Sequence, residues 1–502
     1  MNKKNVLEWL EMTSNMYSDS IAYQDENNCL SFNDVQIKAK AIGTALSEIE
    51  DDAPIAVFAN RSVQTIVSYL GVIYSGHAYA PIDPSLPEAR IASILDLLRP
   101  SAVVVDKTIE EKIQTVLNKS GIKSIYFIEN VNYNEIDEER LLTIRERMVS
   151  TDPLYIVFTS GSTGRPKGVV TSHLSLMCYI ESYANVMNIS TNDILGNQSP
   201  LDYIAAIRDI YIPLLKGCRS IIIPKQLFLQ PSSLFRLLNE NKVTVVGWSV
   251  SVFTLLSKLN CFDGERLETL KKICFSGSVM PGKCLREWQE NLSEAIFVNQ
   301  YGPTEVTASC TYYIVDHTVE DDENISIGKP YNNYHVYIMD DDMHEVSDGQ
   351  IGQICVGGPV VALGYYNDIE RTRESFVIDN RKGYPERLYK TGDLGRRGQN
   401  GLLEFHGRID RQIKHMGHRV ELDEVESAIN TIEGVTENVV IYDNKKEQLV
   451  VFYVGNIEKK IVIIELRKLL PDFMIPRRII DVESLPKLPN GKIDLKKMED
   501  EI

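Results

Sequence analysis

Short β-branched runs alternate along this chain with stretches whose apolar residues recur every three or four positions. Ile55–Phe58 (IAVF) is followed by a helical pattern from Ser62 to Tyr74, a second from Pro87 to Leu98, and the run Ala102–Val105 (AVVV). A strand buried on both faces reads as uniformly apolar and its crossover helix as periodic, so this is the pattern of βαβ units. The alternation returns between Leu214 and Phe275, where Ile221–Ile223 and Val243–Val246 flank helical patterns at Ser232–Asn239 and Val252–Leu259. Two doubly wound sheets are predicted. From Gly352 to about Glu404 the pattern changes to short strands with Gly-rich turns, which predicts a small β-rich subdomain. The polar segment Gly407–Gln412 separates it from a last unit with its own strands, Val439–Ile441 and Leu449–Tyr453, and helices. The expected class is α/β: a large N-terminal domain over 1–407, a hinge at 408–411 and a small α+β C-terminal domain over 412–502.

Composition narrows the function. The 502 residues are 43% hydrophobic, enough for more than one core, and carry a formal charge of −17. That charge argues against nucleic-acid or anionic-membrane partners, which need clustered Lys and Arg, so a polyanionic ligand would require a local cationic pocket. Eight cysteines (Cys29, Cys178, Cys218, Cys261, Cys274, Cys284, Cys310, Cys355) form no CxxC pair, as expected of reduced thiols. The N-terminus MNKKNVLEWLEM places Glu8 and Glu11 where a signal peptide needs an apolar core. No apolar run approaches the roughly 18 to 20 residues of a membrane span, and the expected location is the cytoplasm.

The candidate chemistry begins at Phe158–Val169, FTSGSTGRPKGV, directly after an apolar run. It is not a Walker A loop, which needs GxxxxGK[ST]. Glycines such as Gly161 and Gly164 let backbone N–H groups turn inward, Thr159, Ser160, Ser162 and Thr163 add hydroxyl donors, and Lys167 adds charge; together these make an anion-binding nest. The plain alternative is a solvated turn between two strands.

Five further segments accompany the loop: YSGHAYAPIDP at Tyr74–Pro84, NQYGPTE at Asn299–Glu305, YKTGDL at Tyr389–Leu394, GRIDRQIKHMGHRVELDEVE at Gly407–Glu426 and LPNGKIDL at Leu488–Leu495. In content and order the set resembles the adenylate-forming superfamily of peptide-synthetase adenylation domains, acyl-CoA synthetases and luciferases. The spellings are closest to stand-alone adenylation domains, similar in size to D-alanine:carrier-protein ligases. The resemblance implies an adenylation core in the large domain and a mobile small domain. ATP, with Mg2+, would activate a small carboxylic acid to its acyl-adenylate, and a carrier protein in trans would take the acyl group on its phosphopantetheine thiol. Loop residues Thr159 to Lys167 would hold the β- and γ-phosphates. Thr304 would contact the α-phosphate, Glu305 would ligate magnesium as a hard oxygen donor, Tyr301 would lie near adenine, and Asn299 and Gly302 would also bind ATP. Asp393 would accept the ribose hydroxyls, supported by Arg408, where the plain alternative is a capping Asp in a turn. Lys492 would bridge the substrate carboxylate and the α-phosphate. Asp410 stands at the hinge, and Gly417 would line a pantetheine tunnel, as glycine permitting close approach.

The acid site departs from the family pattern. Amino-acid-activating members carry an Asp for the substrate α-ammonium, and counting back from Leu214-Leu215-Lys216-Gly217 places Ile204 there. An isoleucine cannot offset the desolvation of an ammonium, which costs several kcal/mol unpaired. A second register would give the role to Asp202. On the first, the pocket positions are Tyr203, Ile204, Ala205, Arg208, Gly247, Cys274, Ser276, Gln300, Ala308 and Ser309. Small residues with a few polar ones suit an aryl acid of the hydroxybenzoate or anthranilate type. Arg208 could face a substrate oxygen, or pair with Asp209 or Glu181. The other readings are an amino-acid (D-alanine-like) carrier-protein ligase, an acyl-CoA synthetase, and a degenerate ATP-binding scaffold.

Overall fold

A computed structural model describes residues 4–122, 124–161, 165–488 and 493–502; Ser162, Thr163, Gly164 and Lys492 lie outside the described residues. Its seven-stranded sheet runs Gly364–Tyr365, Lys167–Ser172, Pro153–Thr159, Tyr79–Ile82, Ile55–Phe58, Ala102–Val105, Ile125–Phe127. The last five are parallel neighbours and the first two antiparallel. A nine-stranded sheet runs Lys329–Pro330, Thr311–Val315, Ile296–Tyr301, Lys272–Ser276, Val245–Ser249, Ile194–Asn197, Arg219–Ile222, Ile21–Gln24, Cys29–Ser31, parallel except at its two edges.

Alternation along each strand decides which core it feeds. Ile55 and Val57 join a cluster shared with the nine-stranded sheet, whereas Ala56 and Phe58 turn to the opposite face under helices Glu88–Leu98 and Glu110–Ser120. The shared cluster holds helices Val63–Tyr74, His173–Val186 and Ile207–Lys216, so these three lie between the sheets. The position of Val63–Tyr74 explains its composition: nearly every residue is buried, and Ser62 caps its start by accepting from the Thr65 N–H at 3.3 Å. Helices Pro231–Glu240, Val250–Lys258 and Gly282–Asn291 cover the outer face of the nine-stranded sheet. Both sheets are therefore doubly wound, as expected.

Two expectations shift. The second-half strand is Val245–Ser249 rather than Val243–Val246, because Thr244 already spends its N–H on Ile194 O, 2.9 Å, as it enters the sheet. The β-rich subdomain is a five-stranded antiparallel sheet containing one twelve-residue strand, Glu386–Arg397, where short strands were expected. Asp393 sits inside that strand rather than in a turn. Gly392, at φ +74°, and a register shift between Asp393 and Gly395 form the irregularity that the Gly-rich spelling suggested was a turn.

Beyond Arg411 the chain forms a ribbon, Gln412–His415 with His418–Glu421, turning at Met416 and Gly417, both at positive φ. Helix Leu422–Asn430, strands Val435–Asp443, Gln448–Gly455 and Arg478–Asp481, and helix Lys459–Leu469 follow. The two apolar clusters of this part contain residues from 413 onward only. Among the described residues no helix is long and apolar enough to cross a membrane.

Candidate active site

Strands Pro153–Thr159 and Lys167–Ser172 pair antiparallel with Thr159 opposite Lys167, so the Gly-rich segment caps a β-hairpin. Its base is no solvated turn: Thr159, Ser160 and Lys167 are all buried. The Ser160 hydroxyl donates to Arg419 O at 2.7 Å, and the Gly161 N–H donates to Glu424 Oε2 at 3.3 Å. Both partners belong to the small unit. Glu424 also pairs with Arg90.

Glu305 lies in the turn Thr304–Val306 and is fully buried, as Thr304 nearly is. Its Oε1 accepts from Tyr365 Oη at 2.9 Å and lies 3.1 Å from Lys167 Nζ, while Arg419 Nη1 reaches Oε2 at 2.8 Å and Oε1 at 3.1 Å. Burial alone would raise the Glu305 carboxyl, but Arg419 and then Lys167 overcome it and hold the group well below the usual carboxylate range. Burial, with Arg419 adding repulsion, pulls Lys167 below the ordinary lysine value, so the stronger partner of Glu305 is Arg419.

A second carboxylate cluster stands beside it. Strand Ile296–Tyr301 carries Asn299, whose Nδ2 donates to Ser326 O at 2.8 Å, and Tyr301, whose hydroxyl donates to Asp393 Oδ2 at 2.5 Å. Asp393 is opposite Arg408 in the sheet, and Arg408 pairs with it while forking onto Asp410, Nε–Oδ1 2.6 Å and Nη2–Oδ2 2.8 Å. Gly302 follows: a Cβ there would come within 2.5 Å of Ser309 Cα and 2.8 Å of Cys310 N, so the chain passes only as glycine.

The acid-site positions converge on three adjacent parallel strands, with Gly247 opposite Cys274 and Ser276 opposite Gln300. Helix Ile207–Lys216 delivers Arg208 to them; Ile204 is buried in the turn before it and Ala205 partly so. The Arg208 guanidinium is 1% exposed and donates from Nε to Ala205 O at 3.1 Å, from Nη2 to Gly247 O at 3.3 Å and from Nη1 to Cys274 Sγ at 3.5 Å, above the Tyr183 ring. Among the described residues no carboxylate lies within 4.0 Å of it, so neither Asp209 nor Glu181 forms a contact ion pair with it, although the Asp209 charge still acts on the guanidinium from further away. Asp209 instead accepts from Asn197 Nδ2 at 2.9 Å. Gln300 and Ser309 are buried, Ala308 half-buried at φ +73°. Asp202, the alternative position, has its carboxyl raised to about 7 by burial and Asp83, opposed by Arg61 and Lys225.

The ribbon closes over this site. Tyr203 turns its hydroxyl to Gly417 O, 3.1 Å, and His418 stacks on Phe473 with ring centroids 3.9 Å apart, edge-on to Tyr203. Gly417 lies against Ser249, but a Cβ there would meet the Ser249 hydroxyl at an ordinary 3.4 Å. Within the chain its requirement for glycine is φ +83°, a left-handed conformation. Near Lys492, Ile493 packs with Val439, Ile441 and Phe452 of the small unit.

Sequence reasoning missed four participants: Tyr365, Arg90, Arg419 and Glu424. The last two lie inside the 407–426 segment, and their charge in an amphipathic run was the available signal; Tyr365 and Arg90 offered none.

Comparisons with known proteins concern the family and the fold. The sequence model of the AMP-binding enzyme family matches residues 10–366, and that of the AMP-binding enzyme C-terminal domain matches residues 424–492. The D-alanine–D-alanyl carrier protein ligase of Bacillus cytotoxicus is 32% identical over 473 residues, 90% of each chain. Tyrocidine synthase 1 of Brevibacillus parabrevis is 29% identical over 98% of this chain, which spans 44% of that protein's length. Among solved structures, the Vibrio cholerae adenylation domain AlmE, in complex with glycyl-adenosine-5'-phosphate, superposes with TM-score 0.86 at 19% identity over 100% of this chain and 98% of that one. NpsA-ThdA, an artificially fused adenylation-PCP di-domain from Klebsiella oxytoca, gives 0.80 at 18% identity over 95% and 94%. At such identities these two likenesses are of fold. The chain belongs to the AMP-binding enzyme family.

Proposed function

We propose that this protein activates a carboxylic acid lacking an α-ammonium group, of the aryl type, and passes it to the thiol of a separate carrier protein. In the first step a carboxylate oxygen attacks the α-phosphorus of ATP; the O–P bond forms as the bond to the β-phosphate oxygen breaks, and pyrophosphate leaves with the electron pair. In the second, the pantetheine sulfur attacks the acyl carbon, the thiol proton is lost and AMP leaves. Nothing is oxidised or reduced.

The observation that carries this reading is the convergence of Lys167, Glu305, Tyr301, Asp393 and Arg408 around one buried locus. The hairpin's N–H groups and Lys167 would hold the terminal phosphates, Thr304 the α-phosphate, and Asp393 the ribose. Glu305 fits magnesium in chemistry, since that ion commonly takes one or two carboxylates plus phosphate oxygens, though Arg419 must first leave its oxygens. When bound, the ion would neutralise phosphate charge. Lys492 would steady the charge gathering between acid and phosphate, and Lys492→Ala is expected to abolish adenylation while sparing transfer from preformed adenylate.

The docked ribbon supports a two-arrangement cycle about residues 408–411, with Asp410 at the turning point and Gly417 beside the thiol's path. Ile204, buried where an α-ammonium would need a carboxylate, supports an acid without that group. The 32% identity to a D-alanine–D-alanyl carrier protein ligase favours the alternative, an amino-acid substrate. An ATP–pyrophosphate exchange panel decides between them: aryl acids active and D-alanine inactive is expected, and the reverse would overturn the aryl reading. Offering coenzyme A against a pantetheinylated carrier separates the two acceptor classes.

A further inference from the structure

We infer that the acid taken by this site carries a second anionic oxygen group, a carboxylate or an acidic phenolate, which Arg208 receives at the floor of the pocket. The inference rests on the acid-site reading above and specifies it.

Arg208 is a cation in the wrong place for a structural residue. A guanidinium has five N–H donors in a fixed fork, and the structure assigns three of them, two to backbone carbonyls and one to a thiol. None of those acceptors is charged. Taking a guanidinium out of water costs several kcal/mol unless an anion balances it, and Asp209, whose carboxylate accepts from Asn197, acts on Arg208 without touching it.

The same pocket leaves other polar groups idle. Gln300 is 2% exposed, yet neither its Oε1 nor its Nε2 has a hydrogen-bond partner among the described residues. The hydroxyl of Tyr331, nearly buried, is likewise unpartnered among the described residues. Buried amides and hydroxyls are almost always satisfied in folded proteins, so idle ones on the face that also carries a guanidinium with no carboxylate in contact mark where a ligand brings its own acceptors. Gln300 immediately precedes Tyr301 on its strand, whereas Arg208 reaches the far strands at Gly247 and Cys274. The reacting carboxylate thus belongs at the Tyr301 end and the second anion at the Arg208 end.

The competing account is that Arg208 merely ties its helix to the sheet through the Ala205 and Gly247 carbonyls. The two differ in selectivity. The test is ATP–pyrophosphate exchange by the full chain on matched pairs: benzoate against the benzenedicarboxylates and the hydroxybenzoates, and butyrate against succinate and glutarate. The second anionic group is expected to raise kcat/KM by at least about 100-fold in one of these pairs. Arg208→Gln should collapse that ratio, with the KM for ATP little changed. Cys274→Asp, which sets an internal carboxylate beside Nη1, should collapse it too, and it keeps the test open if Arg208→Gln does not fold.

A wild-type ratio near one, or equal loss for both members of each pair in the variants, would overturn the inference and leave Arg208 a packing residue. The reading it rests on fails separately. If D-alanine exchanges and none of these acids does, the acid-site reading itself is wrong; if aspartate or glutamate outperforms them, the second anion stands and only the missing ammonium is refuted.

Discussion

Arg419 of the small unit and Glu305 of the large one meet 2.8 Å apart in the middle of the site, with both carboxylate oxygens within 3.1 Å of the same Nη1. The two residues are 114 positions apart in sequence. Their pairing means that the docked small unit sets a guanidinium on the carboxylate we propose as the magnesium ligand. A few ångströms away the Glu424 carboxylate sits on the Gly161 N–H, where a phosphate oxygen would sit. The arrangement described here thus sets side chains of the small unit directly on Glu305 and on the base of the Gly-rich loop.

Loss of one partner from a buried pair costs roughly 3–5 kcal/mol because the other charge is stranded. Arg419→Ala is therefore expected to slow single-turnover acyl transfer from preformed adenylate by about 100-fold or more. Pyrophosphate exchange, which does not use this docking, should fall less than about tenfold. Quenched-flow measurement of both half-reactions checks the split, and equal losses would show that Arg419 is not specific to this arrangement.

His418 gives the docked arrangement a pH dependence. Burial against Tyr203 and Phe473 lowers it to about 4, Lys225 adding to the shift and Asp83 opposing it. Its pKa is thus below the ordinary 6.5, so the undocked or unfolded form binds the proton more readily. Docking is fully stable above about pH 6.5 and weakens as pH falls from there towards 4, by at most about 1.4 kcal/mol per unit. Acyl transfer at pH 5.5 should be slower than at pH 7.5, with His418→Phe removing most of the difference. A pH profile unchanged in that variant would assign the effect to another group.

Tyr301, Asp393 and Arg408 form one hydrogen-bonded chain. Asp393→Asn keeps the shape but loses the charge that Arg408 faces and the acceptor proposed for the ribose, so the KM for ATP should rise by about tenfold or more with a smaller change in the KM for the acid. Tyr301→Phe removes one hydrogen bond to a carboxylate, a kind worth about 1.5–3 kcal/mol, but leaves the Asp393 charge in place, so it should raise the KM for ATP less than Asp393→Asn does. Steady-state exchange kinetics check both.

Much of this was legible in the sequence, and the limits were physical. Uniform runs such as Ala102–Val105 can only be strands buried on both faces, so the βαβ order followed directly. The helix Val63–Tyr74 was readable, but not its burial between two sheets, which depends on a second sheet formed more than a hundred residues later. Asp393 was identified from its TGD spelling, while its place in a twelve-residue strand was hidden by glycines that serve a bulge. Arg208 was found as a pocket residue, yet only the fold shows that Asp209 turns to Asn197 and leaves it without a carboxylate in contact. Contacts across the two units, Arg419 with Glu305 above all, join segments with no local pattern in common.

The central claim is that one site works in two arrangements and that the one described serves transfer. Lys258 and Glu447 meet across the units at 2.5 Å on the surface, with both side chains exposed. Lys258→Cys with Glu447→Cys, in a Cys29→Ser background that removes an exposed native thiol, can be joined by a short bismaleimide to hold the units as they stand. The locked protein should lose pyrophosphate exchange almost completely and still pass a preformed acyl-adenylate to the carrier thiol at near the unlocked rate. Undiminished exchange in the fully cross-linked protein would contradict the account.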